Sequence, residues 1–276
     1  MKIAVAVASE DALPSAFVVF RGIEESIRKA AELGYDGVEL ALRDKHQVEL
    51  GKVKRLIKEY HLEIPVISSG QIFSDSKLWL TAIDKDVSSR AAEALKGLID
   101  AASEFGAMVN MGRVRGFVEE GEIVNETIER FAEVMGEISV YARKAGVTLI
   151  LEPVNRYEIN FINNLDEGVK LIERLEIKEL KLMPDLFHMN IEDTSIEGNL
   201  KKYIDYISYI HFADSNRLAP GWGHLDFKSV VDILNSAGYN GWISVEILPK
   251  PDPDSSARQA IHFLRQFIPC KTVTAI

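Results

Sequence analysis

The chain has 276 residues, of which 47% are hydrophobic and 27% charged, enough apolar surface to offset the entropy of ordering and to exclude a disordered protein. Lys and Arg total 32 against 42 Asp and Glu, and the formal charge of −10 argues against a broad basic face for nucleic acid or an anionic membrane. The single cysteine, Cys270, excludes an intrachain disulfide and a cysteine metal cluster, and no apolar run approaches the roughly 18 residues of a membrane span.

Apolar runs alternate with segments of helical period from one end of the chain to the other. The first, Ile3–Ala8, superficially resembles a signal-peptide core but is β-branched at alternate positions and runs into Ser9-Glu10-Asp11, so it reads as a buried strand. The remaining predicted strands are Gly37–Ala41, Ile64–Ser68, Met108–Met111, Val147–Leu151, Leu180–Met183, Ile207–Phe212 and Trp242–Ile247. Between and after them the apolar spacing predicts helices at Ile23–Leu33, Leu50–Tyr60, Asp86–Phe105, Ile123–Lys144, Leu165–Leu175, Ile196–Tyr206, Phe227–Ala237 and Ser255–Phe267. Gly34, Gly106, Gly146 and Gly238 follow helices where a left-handed cap is expected. Leu33-Gly34-Tyr35-Asp36 is echoed by Ala237-Gly238-Tyr239-Asn240, which suggests a repeated βα unit. Eight such units fit one (β/α)₈ TIM barrel over residues 1–276, and no linker divides the chain. A doubly wound open sheet is the alternative, but the first strand is followed by Ser9-Glu10-Asp11-Ala12 and not by a glycine-rich phosphate turn.

The loops after strands three to seven are long and the returning turns short, which places the working face at the C-terminal ends of the strands. Glu152, Asp185, His211 and Glu246 stand at the ends of strands five, six, seven and eight. Alternation puts Thr148, Ile150 and Glu152 on one face of strand five, and Trp242, Ser244 and Glu246 on one face of strand eight. The opposite faces are wholly aliphatic and belong against the helices, which turns both glutamates toward the barrel axis. Three carboxylates meeting at one mouth repel each other, and a divalent cation removes that cost. Oxygen and imidazole donors suit Mn²⁺, Co²⁺, Mg²⁺ or Zn²⁺. Two glutamates flanking a chelated ketone and its neighbouring hydroxyl suit enediolate chemistry, with one removing a proton and the other returning it.

Around these four, His188 lies three residues after Asp185 and can face the same cavity. Glu158 and Arg217 occupy the loops after strands five and seven, where solvated surface is the alternative, and Trp222 is taken as substrate-facing. Arg113 and Arg115 are expected either to clamp a carboxylate or phosphate or to form a solvated basic loop. His224 and Asp226 read equally as a loop pin and a helix cap, and Glu39 as a support for the centre or a barrel-end ion pair.

The chain resembles the xylose-isomerase-like barrel superfamily and, within it, the D-tagatose 3-epimerase and D-psicose (allulose) 3-epimerase family. The resemblance is carried by Glu152-Pro153-Val154-Asn155-Arg156, Asp185-Leu186-Phe187-His188, His211-Phe212-Ala213-Asp214-Ser215-Asn216-Arg217 and Pro220-Gly221-Trp222-Gly223-His224-Leu225-Asp226-Phe227. It implies one Mn²⁺-type ion held by Glu152, Asp185, His211 and Glu246, with Glu152 and Glu246 as the acid/base pair. It also implies that Glu158, His188 and Arg217 hold substrate oxygens, and that the enzyme is a cytoplasmic homodimer or homotetramer acting on a small keto sugar. Asn155-Arg156-Tyr157-Glu158, Asn160-Phe161-Ile162-Asn163 and the Arg113/Arg115 loop look similar to a branch that epimerises keto sugar acids such as 5-keto-L-gluconate. Hydroxypyruvate isomerases share much of the metal constellation. The apurinic endonuclease branch needs further histidines where this chain has Ser68-Ser69-Gly70 and Asn110-Met111-Gly112.

Overall fold

The computed structural model describes residues 1–14 and 16–270; the end of the expected 1–276 domain, residues 271–276, lies outside the described residues. Eight parallel strands form the staves of a TIM barrel: β1 (Lys2–Ala8), β2 (Gly37–Ala41), β3 (Val66–Ser68), β4 (Met108–Met111), β5 (Leu149–Leu151), β6 (Leu180–Leu182), β7 (Tyr209–His211) and β8 (Trp242–Val245). Pairing runs β6-β5-β4-β3-β2-β1-β8-β7. The bridges Leu182↔Ile207 and Asp185↔His211 join the two ends, so the sheet all but closes on itself. Phe20–Arg21 adds a two-residue parallel strand beside β1 that the sequence reading did not anticipate.

The alternation read from the sequence sorts the core into two compartments. Val147, Leu149, Leu151, Ile243, Val245 and Ile247 join the main core between sheet and helices. Val66, Ile150, Met183 and Tyr209 fill the barrel lumen, with Met108 and Trp242 packed against them. The lumen is therefore plugged with side chains below the mouth, as a barrel of this size requires.

Helices Ile23–Leu33 and Leu165–Leu175 have the predicted bounds. Gly34 and Gly146 cap their helices at φ 87° and 69°, where a Cβ would be strained. β3 and the strands after β4 are shorter than their apolar runs, although flanking residues such as Met183, Ser208 and Phe212 still donate to the neighbouring stave. Two short helices were not expected, Gly70–Ser74 and Leu186–Glu192, both in loops on the working face. The predicted helix Ile196–Tyr206 is broken at Tyr203 into Ile196–Lys202 and a 3₁₀ turn, Ile204–Tyr206.

Candidate metal centre and substrate cavity

Glu152, Asp185, His211 and Glu246 meet at the barrel mouth, each offering one ligand atom, with those atoms all within 4.8 Å of one another. Local backbone explains how each is aimed. Asp185 is the N-cap of Leu186–Glu192: its Oδ1 accepts the Phe187 N–H at 2.8 Å, while Oδ2 is buried with no hydrogen-bond partner. Cap and ligand thus use different oxygens of one carboxylate. His211 Nε2 lies 3.1 Å from both oxygens of Glu39, which also accepts from the Ser68 hydroxyl. His211 Nδ1 faces the cluster, 3.4 Å from Glu152 Oε1 and 3.6 Å from Glu246 Oε2, and donation from Nε2 to Glu39 would leave its lone pair for a cation. Glu39 is accordingly a support for His211 and not a separate barrel-end pair.

The cluster suits a divalent cation on its own chemistry. Asp185 Oδ2 and His211 Nδ1 are orphaned buried atoms, and all four groups are oxygen or imidazole donors. Burial, reinforced by the charge of Glu152, lifts Asp185 to about 7. Burial likewise raises Glu246, with the Glu152 charge adding to it. Burial would also raise Glu152, but the positive charge that the surrounding carboxylates favour on His211 before any cation binds outweighs it and holds that carboxyl below its usual range. Gly112 makes room for Glu152, since a Cβ there would lie 2.8 Å from Glu152 Oε2.

Beyond the cluster opens a cavity lined in part by Phe17, Gln71, Asn110, Arg113, His188 and Arg217. Arg217 donates to Glu158 Oε1 at 2.7 Å and lies 3.5 Å from Glu246 Oε2, with its guanidinium 3.5 Å from the Phe17 ring centroid. Its φ is 61°, a left-handed conformation unusual for arginine, fixed by Arg217 N–H to Asp214 O at 2.7 Å and Leu248 N–H to Arg217 O at 2.8 Å. The backbone is thus held in a costly conformation at a residue that lines the cavity. His188 is deeply buried, and burial together with the Arg217 charge lowers it to about 3, so the ring is neutral. Asn155 Oδ1 takes the Tyr157 N–H, which leaves its amide nitrogen toward Glu158 Oε1 and His188 Nδ1. His188 therefore carries its proton on Nε2, 3.9 Å from Asp185 Oδ2 and 4.0 Å from Glu152 Oε1. It enters the cavity as a hydrogen-bond donor.

Two expectations need correction. Arg115 is fully buried and does not reach the cavity. It donates from Nε to Phe161 O at 2.9 Å, from Nη1 to Gly112 O at 2.8 Å and Glu152 O at 2.9 Å, and from Nη2 to Ile162 O at 2.8 Å. It ties the loop after β5 to the end of β4, with four of its five N–H donors spent on backbone carbonyls. Trp222 is 36% exposed and lies outside the cavity lining among the described residues. Arg113 does line the cavity, its guanidinium 5.6 Å from the Phe73 ring centroid and 5.9 Å from that of Phe17, with Glu158 Oε2 at 3.7 Å. His224 shares a 2.8 Å hydrogen bond with Ser215, and Asp226 caps the helix Phe227–Ser236 through Ser229 N–H, so both are structural.

Phe17 was missed because an apolar side chain in a loop reads as ordinary packing, and only the fold brings it to the Arg217 guanidinium. Gln71 lies in the long loop after β3 on the working face but has no charge to mark a role, and Asn110 was missed although alternation sets it on the same face of β4 as Met108, which packs in the lumen.

A parallel barrel with a hard-donor cluster and an adjoining polar cavity at its C-terminal mouth defines a TIM-barrel protein suited to one divalent cation. The Xylose isomerase-like TIM barrel family model matches residues 27–267, and the chain belongs to that family. An L-ribulose 3-epimerase of Methylomonas sp. (strain DH-1) is 27% identical over 265 residues, covering 89% of this chain and 91% of the relative. A 3-dehydro-D-guloside 4-epimerase of Escherichia coli (strain K12) is 27% identical over 88% of this chain and 94% of the relative. Among solved structures, a D-allulose 3-epimerase from Methylomonas sp. superposes with TM-score 0.80 at 25% identity, covering 96% of this chain and 97% of that one. These relatives are sugar epimerases, which are isomerases.

Proposed function

We propose that this protein is a metal-dependent epimerase that inverts the carbon beside the carbonyl of a ketose or keto sugar acid through an enediolate. The observation that carries this reading is the placement of Glu152 and Glu246 in one cluster with Asp185 and His211, beside a cavity rich in hydrogen-bonding groups. Glu152, Asp185, His211 and Glu246 would hold the ion, with Mn²⁺ foremost and Co²⁺, Mg²⁺ or Zn²⁺ as alternatives. When bound, the cation would draw electron density from the carbonyl and adjoining hydroxyl oxygens and so acidify the carbon between them.

The chain's own groups do the rest. One glutamate accepts the proton from one face of that carbon, the other delivers a proton to the opposite face, and the reverse reaction exchanges their roles. His188 donates from Nε2 to a substrate oxygen, while Glu158 and Arg217, already paired, hold further hydroxyls and the orientation of Glu246. Arg113, backed by two aromatic rings, supports a negatively charged end on the substrate, which favours keto sugar acids over neutral ketoses. The family likeness supports a cytoplasmic homodimer or homotetramer and a single catalytic domain over the whole chain.

The test is solvent deuterium. Metal-loaded protein in D₂O should wash label into the carbon beside the carbonyl and yield the epimer. Glu246→Gln should abolish the exchange while retaining bound Mn²⁺. Label appearing together with a migrated carbonyl would identify an aldose–ketose isomerase instead, and native exchange in the variant would remove Glu246 from the acid/base pair.

A further inference from the structure

Two residues of the cavity lining each carry a buried amide oxygen that receives no hydrogen bond. Gln71 and Asn110 both line the cavity and are 1% and 3% exposed. Gln71 Oε1 and Asn110 Oδ1 are buried, and among the described residues no donor reaches either. Their orientation is fixed by the other half of each amide. Gln71 Nε2 donates to Ala41 O at 2.7 Å, so a flipped amide would set carbonyl against carbonyl. Asn110 Nδ2 donates to Glu152 Oε2 at 3.2 Å and Ser68 Oγ at 3.4 Å, so a flip would set its oxygen against a carboxylate. Asn110 thus spends both of its N–H donors on the protein and Gln71 one of its two, and each keeps an unpaired acceptor.

Elsewhere in the lining Arg113 and Arg217 supply donors and neutral His188 presents Nε2–H, beside the carboxylates of Glu152, Glu158 and Glu246. A hydroxyl group can satisfy both sides at once, because it donates one hydrogen bond and accepts others. A ketone or carboxylate oxygen cannot, since it has no proton to give Gln71 or Asn110.

Resting on the epimerase reading for its site, we propose that Gln71 and Asn110 are specificity-determining acceptors that each take an O–H from a polyhydroxylated substrate chain. The substrate class is then a sugar or sugar acid with free hydroxyls along its chain, and short keto acids such as hydroxypyruvate are poor ligands. An analogue lacking a recognised hydroxyl leaves a buried acceptor without a partner, which costs more than the bond itself.

The experiment is calorimetric titration of Mn²⁺-loaded protein with D-allulose and D-fructuronate, each compared with its 4-deoxy and 5-deoxy forms. At least one deoxy form is expected to bind about 10- to 100-fold more weakly than its parent. In Gln71→Met or Asn110→Leu the parent should weaken and that deoxy penalty should shrink to about 3-fold or less. The inference is overturned if the deoxy forms bind like their parents, if the penalty survives undiminished in both variants, or if neither parent binds. The deoxy comparison needs only wild-type protein, so a variant that fails to fold does not shelter the idea. Hydroxyl-dependent binding without deuterium exchange would leave this inference standing and reject the epimerase reading; exchange without any deoxy penalty would do the opposite.

Discussion

Replacing Arg115 by Met keeps the bulk of a long side chain and removes every donor it has. Four hydrogen bonds of 2.8–2.9 Å then disappear, and the carbonyls of Gly112, Glu152, Phe161 and Ile162 lose a charged partner in a fully buried place. A hydrogen bond to a charged group contributes about 1.5–3 kcal/mol, so the sum is an upper bound near 6–12 kcal/mol. Removal of the buried charge offsets part of this, and the loop after β5 can relax toward water, so a net loss of about 3–5 kcal/mol is expected. For a chain of this size that corresponds to a fall of roughly 10 °C in Tm, measured by circular dichroism with urea unfolding as a second probe. Arg113→Met is the control: its ion pair at 3.7 Å is partly solvated and worth about 1 kcal/mol at most, so Tm should hold while KM for keto acids rises. If Arg115→Met melts within roughly 2 °C of wild type and selectively raises KM for keto acids instead, the structural role assigned to Arg115 is wrong.

Saturating Mn²⁺ should raise Tm by mass action, by about 5–10 °C at a hundredfold excess over Kd, and Asp185→Asn should erase most of that gain. A thermal-shift series with Mn²⁺, Co²⁺, Mg²⁺ and Zn²⁺ in which none stabilises the protein would rule out a cation at this cluster. Gly112→Ala should cut activity more than stability, because the added methyl presses on Glu152 Oε2; a native kcat in that variant would contradict the crowding. Asp193 is lifted to about 6 by burial, against which the hydrogen bond from Asn199 works only partly. A raised carboxyl contributes stability that is fully present below its unfolded value near 4 and is lost as pH rises through about 6. Asp193→Asn should therefore match wild type near pH 3.5 and gain on it by on the order of 1 kcal/mol near pH 7.5, the figure allowing for partial solvation. Urea unfolding at the two pH values that showed the gap narrowing with rising pH would reverse the assignment.

The sequence by itself determined the periodic part of this protein. Alternating βα runs specify the eight staves and most of their helices, because burying one face of each strand and helix demands residues at fixed intervals. The same alternation aimed Glu152 and Glu246 inward, with Ile150 and Trp242 lying on the lumen side as the pattern requires. Four hard ligands at consecutive strand ends were legible because parallel barrels align those ends at one mouth. Tertiary structure decided what each loop residue touches. Arg113 and Arg115 are two residues apart and chemically identical, yet one faces the cavity and the other is buried on four carbonyls. The turn between them is a 3₁₀ segment whose facing depends on the β5 loop packed over it, and no local periodicity encodes that. Glu39 and Asn155 likewise acquired their tasks from partners distant in the chain, His211 and His188. Periodicity reports which face is buried; only the folded chain brings a particular donor to a particular acceptor.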